Sequence, residues 1–183
     1  MRLLCLLVLL AAVPAFAQGR PDARKAELDQ LFAALKVAPS EASAASIEDK
    51  IRQAWLQAGS PAVLLLLDQG AHDTDIGDTD GALQSLNDAL VLAPDYPEAW
   101  LSRALTKSHA GDYPGAIRDI QATLQREPRH FVALQTLSRI AEAQQDWKGA
   151  LAAWEKALEI DPRMPQGQDR LQTLRRKVFG EAT

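Results

Sequence analysis

Three histidines are the side chains of this sequence whose chemistry most readily suggests catalysis. His72, His109 and His130 are widely separated along the chain, and no Gly-x-Ser-x-Gly elbow, phosphate-binding loop, His-Glu-x-x-His helix or nucleophilic cysteine accompanies them. A histidine near a carboxylate is more often part of a surface pair than of a catalytic dyad. The sequence therefore predicts no enzyme activity and no catalytic residue.

The acidic stretch over residues 72–81 carries four aspartates and suggests a cation site. A calcium loop of the helix-loop-helix type needs oxygen ligands at alternating positions, a glycine at the sixth and a glutamate at the twelfth. Taking Gly81 as the sixth position places Ile76 first and Asn87 twelfth, and neither supplies a carboxylate. We therefore expect solvated acids in a turn, with no metal and no cofactor, although weak cation attraction by Asp73–Asp80 remains open.

Composition narrows the class of protein. The chain has 183 residues, a net charge of −4, one cysteine and 47% hydrophobic residues. These values exclude a disulfide-stapled mini-protein, a disordered polymer and a basic nucleic-acid binder. The hydrophobic content is enough for one domain with a core of ordinary size.

The N-terminus has the pattern of a secretory signal. Arg2 precedes the apolar stretch Leu3–Val13, and Ala15–Ala17 supplies the small-x-small motif that a signal peptidase recognises. The stretch is shorter than a membrane-spanning helix requires. Gln18 follows in place of the cysteine that lipid anchoring needs. We expect cleavage of residues 1–17, no stable membrane insertion, and a periplasmic or secreted protein.

An internal period of 34 residues organises the rest of the chain. It aligns Pro94, Pro128 and Pro162, each where a helix would have to end. Further columns in the same register are Ala82, Ala116 and Ala150; Leu86, Ile120 and Trp154; Ala89, Thr123 and Ala157; Leu90, Leu124 and Leu158; Gly70, Ala104 and Ser138; and the turns Gly77-Asp78, Gly111-Asp112 and Gln145-Asp146. Small residues at a fixed spacing allow paired helices to approach closely, so the pattern predicts stacked helical hairpins.

This pattern resembles the tetratricopeptide repeat over residues 63–162. The resemblance implies an all-α, right-handed superhelical solenoid of antiparallel helix hairpins, with repeats at about 63–96, 97–130 and 131–164. It also implies a capping helix and tail over 163–183. The first repeat departs most from the family pattern, because Gln69 and Asp73 stand where apolar residues are usual.

Residues 18–60 are expected to be helical but out of phase with the repeats. One helix is predicted over Asp22–Val37 and another over about Glu41–Ala58, and together they cap or extend the solenoid. Ser46-x-x-Asp49 is either a capping box or a solvated turn of a longer helix. The total is about nine helices with no strands, in a single domain.

The resemblance also implies a concave groove lined by the first helix of each repeat. The positions that its register assigns to the groove are Leu67, Ala71, Asp75, Leu101, Leu105, His109, Gln135, Arg139 and Glu142. The alternative is that these are ordinary solvated or half-buried helix positions. The lysines and asparagines with which one subclass captures C-terminal carboxylates are absent from the corresponding positions.

These observations predict a non-catalytic scaffold, adaptor or assembly factor of the bacterial envelope. Its partner would be another protein, bound as a peptide or helix in the groove. The alternative is an accessory subunit of an envelope enzyme, or a groove binder of a cell-wall or small-molecule ligand. A homo-oligomer remains open. The basic run Arg175–Lys177 is interpreted as complementing the dipole of the last helix.

Overall fold

The structure is a computed structural model that describes residues 21–180. Over this range it contains nine α-helices and no strand, which confirms the predicted fold class. The helices are α1 (Pro21–Lys36), α2 (Glu41–Leu56), α3 (Pro61–Asp75), α4 (Thr79–Leu92), α5 (Pro97–His109), α6 (Tyr113–Arg126), α7 (Phe131–Ala143), α8 (Trp147–Ile160) and α9 (Gly167–Phe179). The predicted signal segment and its cleavage site lie outside the described residues.

The second helix of each repeat begins with the same capping arrangement. Asp78, Asp112 and Asp146 each accept a hydrogen bond from the backbone N–H three residues later, at 3.0, 2.9 and 2.9 Å. That later residue is glycine in all three repeats, and a Cβ at Gly115 or Gly149 would overlap the capping carboxylate. The aspartate satisfies a free helical N–H and complements the helix dipole.

The turns between paired helices require left-handed backbone. Gly77 and Gly111 have φ values of 82° and 80°, which glycine adopts at little steric cost. In the third repeat the same position is Gln145, with φ of 61°. The third hairpin therefore carries a strained residue where the other two carry glycine.

The first helix of the first repeat forms in full despite its departures from the family pattern. Its two unusual side chains pair with each other, since Gln69 Nε2 donates to Asp73 Oδ1 at 2.7 Å. Asp73 is buried in this pair. A hydrogen-bonded carboxylate can occupy a buried position, because its polar atoms are satisfied.

The core of the repeats is made of small residues facing bulky ones. Ala82, Ala116 and Ala150 are completely buried, and Leu86, Ile120 and Trp154 fill the layers beside them. In the last layer, Leu171 and Leu174 of α9 join a cluster with Trp154. The last helix therefore covers the third repeat with its apolar face.

The N-terminal hairpin of α1 and α2 lies across the turns that connect the repeats. Helix α2 contacts the turn before α5, where the Tyr96 hydroxyl donates to the carbonyl of Leu56 at 3.2 Å. It contacts the start of α7, where Ile51 clusters with Phe131. It also reaches the turn after α8, where Glu48 lies beside Asp161. One helix therefore contacts both connections between repeats and the turn that joins the third repeat to α9.

The start of α2 decides between the two interpretations of Ser46-x-x-Asp49. The N-cap is Ser40, whose side-chain oxygen accepts from the N–H of Ser43 at 3.2 Å. Ser46 and Asp49 therefore lie within a longer helix.

Among the helices described, none is long and apolar enough to cross a membrane.

Candidate binding groove

A row of three depressions runs along the first helices of the repeats and continues to α9. The volumes are about 150 Å³ between α3 and α5, about 250 Å³ between α5 and α7, and about 490 Å³ between α7 and α9. Neighbouring depressions share lining residues: Leu105 and His109 belong to the first two, and Arg139 belongs to the last two. We call this continuous track the groove.

The part of the groove between α3 and α5 is small and mixed in character. Ala71 and Asp75 line one side, and Leu105 lines the other. The two helices are connected at the base of this part by the hydroxyls of Thr74 and Thr106, which are 2.8 Å apart. This hydrogen bond fixes the spacing of α3 and α5 and so the width of the groove at this end.

The central part of the groove combines apolar side chains with a cation. Leu105, Tyr113 and Ile140 supply the apolar lining, and His109 and Arg139 supply the polar groups. Arg139 is exposed, and one of its nitrogens donates to the hydroxyl of Thr136 at 3.1 Å. Among the described residues no carboxylate lies within 4 Å of its guanidinium, which leaves donors for a carboxylate or carbonyl.

The widest part of the groove, between α7 and α9, contains side chains that are already paired. Arg170 forms an ion pair with Glu142, and its guanidinium lies 4.9 Å from the centre of the Trp154 ring. Gln135 and Asp169 line the same part. A ligand here meets a polar wall whose charges largely compensate each other.

Six of the nine residues that the resemblance assigned to the groove line it. They are Ala71, Asp75, Leu105, His109, Gln135 and Arg139. Two others, Leu67 and Leu101, are buried in core clusters and support the groove from below, so they offer a ligand no surface. Glu142 is held in its ion pair with Arg170.

The sequence interpretation omitted the groove residues contributed by α9. Asp169, Arg170 and Thr173 line the widest part, although α9 was treated only as a cap. They follow Gln135, Thr136 and Arg139 by one repeat length of 34 residues. Continuing the register into α9 would have found them, because the last helix takes the place of the first helix of a further repeat.

The histidines do not come together. His72 is exposed on α3, and His109 lies in the groove. His130 is buried at the start of α7, where Nε2 is 2.8 Å from the carboxylate of Glu98. Each therefore has a separate structural environment, and they do not form a shared site.

The acidic stretch is divided between different roles. Asp73 is paired with Gln69, and Asp78 caps α4. Within residues 21–180, no group of three or more histidine, cysteine, aspartate or glutamate side chains is placed to hold a metal ion.

A buried ion cluster stabilises the second repeat outside the groove. The carboxylate of Asp119 on α6 accepts two hydrogen bonds from Arg103, at 2.9 and 2.8 Å, and one from Lys107, at 2.7 Å. Both cations belong to α5. Three charge-assisted bonds to one buried carboxylate satisfy its oxygens and connect the two helices of the hairpin.

Comparison with known proteins identifies the family. The tetratricopeptide repeat model matches residues 131–164. A tetratricopeptide repeat-containing protein of Rhizobium etli is 35% identical over 159 residues, which covers 87% of this chain and 78% of that protein. The chain belongs to the tetratricopeptide repeat family.

Solved structures show the same fold. The Sgt2 repeat domain from Aspergillus fumigatus has a TM-score of 0.60 and 25% identity, covering 66% of this chain and 81% of that one. The first repeat domain of Spaghetti, solved with an HSP90 peptide, has a TM-score of 0.59 and 18% identity, covering 65% and 94%. MamA has a TM-score of 0.58 and 18% identity, covering 87% and 85%.

Proposed function

We propose that this chain is a non-catalytic adaptor or assembly factor of the bacterial envelope that binds a peptide or helix of another protein in the groove. The observation that carries the proposal is the continuous track from α3 to α9, with apolar lining and an available guanidinium at its centre. The peptide-bound structure of the Spaghetti repeat domain supports this use of the fold.

The lining residues define the kind of segment that fits. Leu105, Tyr113 and Ile140 would contact an apolar side chain, and Arg139 would bind a carboxylate or backbone carbonyl beside it. The positions of the C-terminal carboxylate clamp hold Leu101-Ser102 and Gln135-Thr136 instead of lysine and asparagine. The ligand we propose is therefore an internal segment with an apolar residue next to an acidic one.

Residues 1–17 support the envelope location. Their basic, apolar and small-residue segments follow the order of a secretory signal, and residues 18–183 contain no cysteine. Expression of the full chain in a bacterium, followed by fractionation and mass measurement, tests this. We expect a periplasmic product that begins at Gln18, and an unprocessed cytoplasmic product would contradict the location.

Binding is tested by recovery of partners from envelope extract with Leu105→Asp and Arg139→Glu. Val91→Asp and Arg118→Glu are the matched controls, since both residues are exposed on second helices away from the groove. We expect a stoichiometric protein with the chain and the control variants, and its loss with the groove variants while circular dichroism shows unchanged helicity. Cross-links from the partner should map to α5 and α7.

Two results would overturn the proposal. One is recovery that is unchanged by both groove variants. The other is an absence of any recovered protein combined with thermal stabilisation by a glycan or metabolite, which would indicate a small-molecule binder. Arg139→Ala provides a milder variant if the charge reversal alters the fold.

A further inference from the structure

The first repeat presents a helix face that is buried in the other two repeats. Ala99 of α5 clusters with residues of α4, and Ala133 of α7 clusters with residues of α6, so each packs against the second helix of the preceding repeat. Both alanines are completely buried. Leu65, one repeat length before Ala99, is 69% exposed.

A second position on α3 shows the same difference. Thr106 and Ile140 are buried, but His72, which occupies the equivalent place in the first repeat, is exposed. Leu65, Asp68 and His72 recur at the spacing of one helix face. We call these three residues the first-repeat face.

The position of α2 explains why the first-repeat face has no cover. In a regular solenoid the helix that precedes α3 in the chain would pack against this face. Helix α2 instead clusters with Phe131 and the turns between repeats. Leu65 is consequently a large apolar residue that remains 69% exposed. Ile76, which is 65% exposed, occupies a position that is also exposed in the other two repeats.

The opposite end of the molecule carries the complementary charge. The last turns of α9 contain Arg175, Arg176 and Lys177, followed by Phe179, which is 76% exposed. Arg175 pairs with Glu155 at 2.9 Å, and Lys177 lies 5.2 Å from the centre of the Trp147 ring. Arg176 points away from the buried stripe, and the one side-chain bond it makes among the described residues is to Thr173.

We propose that the first-repeat face binds the outer face of α9 of a second copy of this chain, head to tail. Leu65 would contact Phe179, and Asp68 would pair with Arg176. Charge selects this arrangement over a symmetric dimer, because pairing two first-repeat faces opposes Asp68 to its own copy and pairing two α9 ends opposes their cations. The contact is heterologous, so copies add in a row.

Sedimentation equilibrium of the purified chain tests the proposal. We expect a weight-average mass that rises with concentration beyond a dimer, and an association that weakens as salt is added. Asp68→Arg and Arg176→Glu should each raise the dissociation constant, by roughly two- to fivefold for a surface ion pair. The double variant should recover the original association, because it restores opposite charges at the contact.

Control variants distinguish this contact from nonspecific hydrophobic association. Leu65→Asp should abolish the association, and Val91→Asp should leave it unchanged, although Val91 is 80% exposed and equally apolar. Unchanged helicity shows that each variant is folded. A monomer at every concentration would overturn the proposal. So would a self-association that stops at the dimer at every concentration, because a heterologous contact between the two ends adds copies in a row.

Discussion

The indole of Trp55 lies flat on the imidazole of His130, with ring centres 4.0 Å apart and planes inclined by 16°. Trp55 belongs to α2, and His130 caps α7 by accepting from the N–H of Ala133 at 3.4 Å. The other side of the imidazole reaches the carboxylate of Glu98 on α5. This stack therefore joins the N-terminal hairpin to the connection between the second and third repeats.

Removing the Trp55 ring should release the hairpin while the repeats remain folded. Trp55→Ala deletes contacts with His130, Phe131 and Phe32, and such a deletion costs about 3 to 5 kcal/mol. Hydrogen exchange should show lost protection over residues 21–56 and retained protection over 97–160. Trp55→Phe keeps an aromatic ring, so the loss of protection over residues 21–56 should be much smaller. Equal loss of protection in both ranges would mean that the hairpin and repeats unfold as one unit.

Stability should decrease as the pH rises from about 4 to about 7, because of one buried carboxyl. Burial, together with the adjacent Glu48, raises the pKa of Asp161 from its ordinary value of 3.8 to about 7, against the smaller opposing effects of the Arg163 N–H and the Arg52 side chain. Between the unfolded and folded pKa values the native state binds the additional proton. The free energy of unfolding therefore contains a contribution that is present at the acidic end of this window and absent above pH 7.

The variant Asp161→Asn tests that contribution, because an amide is neutral at every pH. Urea unfolding across the pH window should show a flatter profile for this variant and greater relative stability at pH 8. Asp95→Asn is the control, since its side chain is 98% exposed. A profile for Asp161→Asn that parallels that of the parent chain would contradict the assignment.

Enlarging Ala150 should overpack the third hairpin. Ala150 is completely buried, and its carbonyl accepts a hydrogen bond from the Ser138 hydroxyl of the facing helix at 2.9 Å. Added methyl groups at such a close approach cost about 1 to 3 kcal/mol. We expect Ala150→Leu to lower the thermal midpoint, and Ala152→Leu, on the exposed side of the same helix, to leave it unchanged. Identical thermal midpoints for the two variants would argue against the repeat register that places Ala150 between the paired helices.

Truncating Trp154 should destabilise the third repeat more than enlarging Ala150. Its ring packs between the third repeat and α9, and its Nε1–H donates to the carbonyl of Gly167 at 2.9 Å. We expect Trp154→Ala to reduce the free energy of unfolding by about 3 to 5 kcal/mol in denaturant titration. Trp154→Phe should retain part of the packing and separate the contribution of the hydrogen bond. If Trp154→Ala reduced the free energy of unfolding by less than Ala150→Leu does, this prediction would be contradicted.

Replacing Gln145 by glycine should stabilise the third hairpin. Gln145 has φ of 61° at the place where the first two repeats have glycine. Relief of left-handed strain outweighs the added freedom of the unfolded chain, so we expect a gain of up to about 1 kcal/mol. Gln144→Gly, one residue earlier with φ of −89°, should be destabilising and serves as the control. The thermal midpoints of both variants provide the measurement.

The period of 34 residues was sufficient to predict the six helices of the repeats and their pairing. The family resemblance supplied six of the residues that line the groove. Repeated contacts leave repeated residues: the prolines follow the ends of the second helices, the buried alanines mark the close approach of paired helices, and the Gly-Asp turns connect those helices. The same register, extended to Arg170, would have supplied the part of the groove contributed by α9.

Tertiary structure decided where the N-terminal hairpin lies and, as a result, which faces stay open. The pairing of Trp55 with His130, of Glu48 with Asp161 and of Tyr96 with the carbonyl of Leu56 joins residues that no period relates. Leu65 occupies a repeat position that is buried in the other two repeats. It remains exposed because α2 packs elsewhere. A local pattern shows that a helix has an apolar face, but long-range packing determines what covers that face.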